Sequence, residues 1–176
     1  MSEQSNCIIE KVCNVKLIKM YDDVIIPEYK TSGSSGMDIH AYLTDDFIVD
    51  HKRIYGDSTV NVLEELILIP PHETIPIPTG IKVKIPENYE IQVRSRSGLA
   101  INGLIVANEP GTIDSDFIGQ IKIIILNTTN TYKKITHGDR IAQLIFAKVD
   151  KMSFEIVDVL DETGRGEGGF GSTGIN

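Results

Sequence analysis

The chain has 176 residues, a formal net charge of -8, 41% hydrophobic and 24% charged residues, and no tryptophan. A prior of about 150 residues per domain makes this one domain with room for a sizeable core, and its apolar fraction is that of a globular rather than a disordered chain. The acidic balance speaks against general nucleic-acid binding, which rests on clustered Lys and Arg, and no apolar run nears the ~18 residues of a membrane span. Residues 12–20 predict a first strand. Residues 45–64 are polar and irregular and read as an insertion on a surface loop, with a helical turn over 57–65 that puts Leu63, Leu66 and Ile67 on one face. Residues 66–69 form a short apolar run closed by Pro70 and Pro71. Over 79–85, Ile81, Val83 and Ile85 alternate with Lys82 and Lys84, and over 89–94 Tyr89, Ile91 and Val93 alternate with Glu90, Gln92 and Arg94. Both alternations are those of half-buried strands, and Pro86-Glu87-Asn88 between them predicts a hairpin. A helical turn over 97–102 with Ser97 as N-cap comes next. Residues 121–126 read as a strand buried on both faces, followed by strands over 141–149 and 154–157. Short strands with almost no helix predict a closed or sandwiched antiparallel sheet. The domain spans 1–160, and a glycine-rich arm spans 161–176.

The start of the chain, MSEQSNCIIEKVCNVK, is polar and acidic where a secretory signal is basic and then apolar. Cys7 and Cys13 lack zinc-site spacing and are too few for a disulfide framework, so a cytoplasmic protein is expected.

Four segments can carry chemistry. Arg94-Ser95-Arg96-Ser97-Gly98 puts two guanidinium groups beside the start of a helical turn, which suits a phosphate as well as it suits a plain strand-to-helix cap. Gly111 to Gly119 holds Asp114 and Asp116. On an extended backbone the two point to opposite faces, and one could serve as a general base, though a solvated hairpin turn is the commoner use of such residues. Gly138-Asp139-Arg140 reads as a turn fixed by a local Asp–Arg pair, with Gln143 the less expected residue beyond it. The tail places Phe170 among glycines, with Ser172 and Thr173 after it and Arg165 before it. Glycine backbones can wrap a phosphate and an aromatic ring can stack on a base. No helix or lysine follows, so this is not a Walker loop. The four histidines show no metal-ligand spacing, and there is no G-x-S-x-G elbow.

In order, Ser35-Gly36-Met37-Asp38-Ile39-His40-Ala41, Arg96-Ser97-Gly98-Leu99-Ala100, Gly111 to Gly119, Gly138 to Leu144 and Arg165 to Gly174 resemble the five motifs of the trimeric dUTP diphosphatase (dUTPase) family. The resemblance implies an all-β, distorted jelly-roll barrel subunit in a homotrimer, with active sites at the subunit interfaces and a flexible glycine-rich tail. It implies Mg²⁺-dependent hydrolysis of dUTP to dUMP and pyrophosphate, by water attack on the α-phosphorus. That reaction limits uracil incorporation into DNA and supplies dUMP. By position, Asp114 matches the general base. Arg96, Ser97, Gly98 and Gln143 match phosphate contacts, and Asn108 the hairpin that reads uracil. Ile113 and Phe117 fall among the substrate contacts, Phe117 standing where the family usually has Tyr against the deoxyribose. Phe170 matches the ring over uracil. Arg165, Ser172 and Thr173 match the γ-phosphate clamp with Gly171 between them, and Asp38 matches a carboxylate that holds a Mg²⁺-bound water. Neither nucleic acid nor membrane is an expected partner. Two readings compete: a non-catalytic nucleotide-binding module, and dCTP deaminase, which needs a glutamate where Ile124 stands.

Overall fold

The computed structural model describes residues 13–56, 60–61 and 65–168, with only the backbone of 60–61. In chain order the elements are β1 (Lys16–Lys19), β2 (Met37–His40), α1 (Asp45–Tyr55), β3 (Val60–Asn61), β4 (Leu66–Ile69), β5 (Thr74–Lys84), β6 (Tyr89–Arg94), α2 (Ser97–Ala100), β7 (Leu104–Val106), β8 (Gly111–Ile113), β9 (Gln120–Asn127), β10 (Lys133–Thr136) and β11 (Arg140–Lys148). The strands form antiparallel sheets in the orders β1-β5-β9-β7, β2-β11-β6-β8 and β10-β4-β3. Apart from β3 and β4, consecutive strands lie in different sheets. The chain therefore crosses the core at almost every turn, which is the topology of a jelly roll.

This crossing explains two departures from the sequence reading. The turn at Pro86-Glu87-Asn88 is present, with Tyr89 N–H donating to Pro86 O at 3.3 Å and Asn88 at φ 64°. It is not a hairpin, because β5 pairs with β1 and β9 while β6 pairs with β11 and β8. The turn over 114–118 likewise joins β8 to β9 in another sheet, so Asp114 and Asp116 do not sit on one extended strand. Alternation identifies a strand and its buried face, but it carries no information on which strand lies alongside.

The core is aliphatic. Ile77, Ile81, Ile85, Ile123, Ile125, Ile135 and Ile141 are each at most 1% exposed. Strand β9 buries Ile121, Ile123 and Ile125, whereas Ile124 and Leu126 on its other face are half-covered. Burial of both faces, expected from composition, is incomplete: Ile124 borders the groove lined by Asp114 and Phe117.

Residues 45–55 are helical rather than an irregular loop. Thr44 caps α1, its hydroxyl accepting from Phe47 N–H at 3.2 Å, and Asp45 and Asp46 occupy the first turn while Lys52 and Arg53 occupy the last. These charges match the helix dipole at both ends. Ile48 and His51 sit one turn apart on the buried face, and His51 Nε2 lies 3.1 Å from Leu68 O. The helical turn expected over 57–65 does not form as read. Val60–Asn61 is a strand, Leu66 and Ile67 belong to β4, and Leu63 lies outside the described residues. The strand expected over 154–157 is absent. Phe154 and Ile156 are 89% and 97% exposed, with no strand beside them among the described residues.

Candidate active site

Strands β2, β11 and β6 lie side by side, and their register puts Asp38, Gln143 and Arg94 in one row across the sheet. Their neighbours Ile39, Ala142, Leu144 and Val93 point into the core, so the row faces outward. Two residues past the end of β6, the Arg96 guanidinium turns back over this row. Its Nε donates to Asp38 Oδ1 at 2.7 Å and its Nη1 to the Arg140 carbonyl at 3.1 Å. Arg140 Nη1 donates to Asp38 Oδ2 at 3.1 Å. The partner expected for Arg140 was Asp139, but Asp139 Oδ2 instead accepts from Thr136 N–H at 2.8 Å and closes the turn at Gly138 (φ 80°). Asp38, two strands from Arg96 and far from it in sequence, gave no local signal of this pairing.

Gln143 Nε2 donates to the Ser95 carbonyl at 3.0 Å, and Ser95 Oγ receives Val106 N–H at 2.9 Å while donating to the Glu109 carboxylate. Ser95 was not singled out as a site residue. It ties β6, β7 and the loop before β8 together at the floor of a cleft of about 550 Å³, lined by Ser97, Ala100, Val106, Glu109 and Gln143. That size is within the range of small-molecule sites. The N-cap of α2 is Arg96 and not the expected Ser97. Leu99 and Ala100 N–H groups return to Arg96 O at 3.0 and 2.9 Å, and no side chain caps the turn. Ser97 and Gly98 therefore head the turn, where a backbone N–H has no acceptor inside the helix. Gly98 has open space above it.

Next to Asp38 on β2 is His40, paired across the ladder with Arg140. Burial pushes its imidazole below the ordinary histidine range, with Asp38 opposing that shift, and its Nδ1 is buried without a hydrogen-bond partner.

Asp114 is elsewhere. Ile113 of β8 pairs with Ile91 of β6 and Gly111 with Val93, so Asp114 lies beyond one end of this pairing and Arg96 beyond the other. Asp114 is exposed at the start of its turn, which is held by Phe117 N–H to Asp114 O at 3.2 Å and by Lys84 Nζ to Ser115 O at 2.9 Å. Phe117 is 43% exposed and lies against Gly119, in a shallow groove of about 290 Å³ with Asp114, Lys122 and Ile124. The side chain of Ile113 belongs to the core at 7% exposure, so any ligand contact there falls to its backbone. Asn108 is exposed, its amide close to Gly111. Arg165 donates from Nε to Gly168 O at 2.6 Å within its own loop. Phe170, Gly171, Ser172 and Thr173 lie outside the described residues. The phosphate-type residues Arg96, Ser97, Gly98 and Gln143 are thus brought together, and Asp114 with Phe117 forms a separate group.

Comparison with known proteins agrees on one family. The dUTPase family model matches residues 59–174. The chain is 46% identical over 151 residues to the deoxyuridine 5'-triphosphate nucleotidohydrolase of Orientia tsutsugamushi (strain Ikeda), covering 85% of this chain and 88% of that protein. It is 45% identical over 161 residues to the nucleotidohydrolase of the same name from Finegoldia magna, covering 91% and 98%. Among solved structures, a mutant dUTPase of Staphylococcus bacteriophage 80alpha with dUpNHpp superposes with a TM-score of 0.72 at 22% identity, over 92% of this chain and 99% of that one. A mutant dUTPase from phage phi11 of S. aureus, with a structural Mg(II) ion, gives 0.66 at 20% identity over 85% and 99%. With the family model covering well over half of its length and relatives above 40% identity along most of it, this jelly-roll chain belongs to the dUTPase family.

Proposed function

We propose that the protein hydrolyses dUTP to dUMP and pyrophosphate in the cytoplasm, acting as a homotrimer with each active site shared between copies. The observation that carries the reading is the Arg96 guanidinium, fixed by Asp38 and Arg140, directly before Ser97 at the head of α2, which with Gln143 lines the cleft beside Ser95. Charge-assisted donors arranged in advance suit a polyphosphate.

Asp114 takes a proton from a water, whose oxygen attacks the α-phosphorus. The bond from that phosphorus to the bridging oxygen breaks, and pyrophosphate leaves with the electron pair. A general base contributes a factor of about 10²–10⁴. Arg96, the Ser97 and Gly98 backbone and Gln143 receive the charge that grows on the leaving phosphates. Asn108 and the backbone of Ile113 read the base. Phe117 packs the deoxyribose without the hydroxyl of a tyrosine. The tail closes over the bound nucleotide, with Phe170 on the base and Arg165, Gly171, Ser172 and Thr173 on the terminal phosphate.

Three features support assembly from several copies. A single chain places Asp114 and Arg96 beyond opposite ends of the β6–β8 pairing. The segment after β11 exposes Met152, Phe154, Ile156, Val159 and Leu160. An apolar groove of about 590 Å³, lined by Leu17, Ile26, Tyr29, Val83, Ile91 and Phe146, offers such a segment from a neighbour a place to bury its side chains.

Mg²⁺ carried by the triphosphate would offset phosphate charge, and Mg²⁺ commonly binds through substrate phosphates and water with few protein ligands. The described residues hold no cluster of three His, Cys, Asp or Glu for a metal, and both oxygens of Asp38 face guanidinium groups. Each Asp38 oxygen keeps a further lone pair, so a Mg²⁺-bound water would share this carboxylate with Arg96 and Arg140.

Strand β9, QIKIIILN, carries no acid, which disfavours deamination of dCTP. The test is pyrophosphate release from dUTP, dCTP, dTTP and UTP with Mg²⁺. Release from dUTP alone is expected; ammonia from dCTP, or no product from any of them, overturns the reading.

A further inference from the structure

Asp38 is an acid within a cluster that otherwise suits an anion. Its Oδ1 accepts Arg96 Nε at 2.7 Å and its Oδ2 accepts Arg140 Nη1 at 3.1 Å. The ring closes through the backbone, since Arg96 Nη1 also donates to the Arg140 carbonyl at 3.1 Å. The Asp38 and Arg96 side chains are 17% and 23% exposed, whereas that of Arg140 is 52% exposed. A guanidinium carries five N–H donors in one rigid plane. Bonds from Nε and Nη1 to two different partners fix that plane and leave Nη2 for an oxyanion. An uncompensated carboxylate here would repel phosphate, and Arg140 removes that repulsion by pairing with it.

We infer that Asp38 and Arg140 are positioning residues, which hold the Arg96 guanidinium aimed at the phosphate chain and keep the surrounding charge positive. This rests on the reading of the cleft as a triphosphate site. It gives Asp38 work that needs no metal, and it gives a role to Arg140, which the sequence motif left as a turn residue.

The experiment measures dUpNHpp binding by calorimetry in EDTA, and dUTP turnover across a Mg²⁺ titration, for wild type, Asp38→Asn, Arg96→Gln and the double variant. Asp38→Asn is expected to weaken metal-free binding by about tenfold to a hundredfold, the worth of a charge-assisted hydrogen bond. Once Arg96 is Gln, the same change should cost less than about threefold, because coupled residues are not additive. The half-saturating Mg²⁺ concentration should not move. Arg140→Gln, on a side chain that is half exposed, should also weaken binding while a urea titration shows it folded, and Arg140→Lys should restore part of the binding. Unchanged or tighter metal-free binding by Asp38→Asn together with a raised Mg²⁺ requirement overturns the inference, as does an additive cycle or an Arg140→Gln variant that binds like wild type. Failure of wild type itself to bind dUpNHpp removes the triphosphate reading, and this inference with it.

Discussion

The two candidate halves of the site differ in how far one chain completes them. At the ends of β2, β6 and β11, Asp38, Arg96, Arg140, Ser95 and Gln143 are joined by hydrogen bonds that cross between strands far apart in sequence. At the turn after β8, Asp114 is exposed, and the turn is held by one backbone bond and one lysine. A guanidinium that must meet phosphate in one orientation gains from neighbours that fix it beforehand. On the proposed reading, the Asp114 carboxylate meets water and a ligand bound by another copy, and its exposure in the single chain is consistent with that. The β6–β8 register enforces the division, since antiparallel pairing sends Arg96 and Asp114 toward opposite ends of the ladder.

The largest expected effect falls on the open half. Asp114→Asn should lower pyrophosphate release by about 10²–10⁴-fold. Because the side chain is exposed, stability should stay within about 0.5 kcal/mol of wild type in a urea titration. A large loss of stability would mean that the turn is a structural element rather than a catalytic one. Mixing separates the halves more sharply. Asp114→Asn and Arg96→Gln, each inactive alone, should regain activity when refolded together at equal amounts, with roughly a quarter of interface sites receiving both intact residues from different chains in a closed cyclic assembly. If no activity returns, the two halves serve one and the same chain, and the comparison fails.

A smaller effect tests packing. A methyl at Gly36 would lie 2.7 Å from Ile145 Cδ1 and 2.9 Å from Gln143 Oε1, inside the bonded half. A methyl at Gly119 would lie 2.6 Å from Phe117 Cζ, a ring with room to swing outward. Gly36→Ala should therefore cost about 1–3 kcal/mol and Gly119→Ala under about 1 kcal/mol in denaturant unfolding. Equal costs would show that the open half is packed as firmly as the other. The smallest effect lies outside both halves, at α1. Burial holds the His51 imidazole below the ordinary histidine pKa of about 6.5, against the opposing pull of its bond to the Leu68 carbonyl. The folded state thus favours the neutral ring, and its contribution to stability is present above about pH 6.5 and fades as pH falls toward the lowered value. Melting temperature should drop on acidification below that pH, with a flatter profile in His51→Gln; identical slopes would assign the effect to other groups, His40 among them.

Much of this was legible along the chain. The alternations over 79–85 and 89–94 marked strands and named their buried faces correctly, since burial of one face is written into a period of two. The motif containing Arg96, Ser97 and Gly98 marked the phosphate-type half because its residues are neighbours in sequence. Helix α1 was missed, although Thr44 followed by Asp45 and Asp46, with Phe47, Ile48, His51 and Tyr55 at helical spacing, was a usable signal. The polar character of the stretch hid it, because only one narrow face of this helix is buried.

The sequence by itself determined the strongly patterned strands, among them β4, β5, β6, β9 and β11, the aliphatic core and the residue types of both halves, because local propensity and periodicity act over a few residues, whereas the short strands β2, β7, β8 and β10 carry too few residues to show a period. Only the tertiary structure decided which strands became neighbours, that both expected hairpins are crossings between sheets, and that Arg140 pairs with Asp38 instead of Asp139. Those outcomes depend on which chain segments lie beside one another once the core closes. Such long-range choices are made by the packing of the whole molecule, and no short window of sequence contains them.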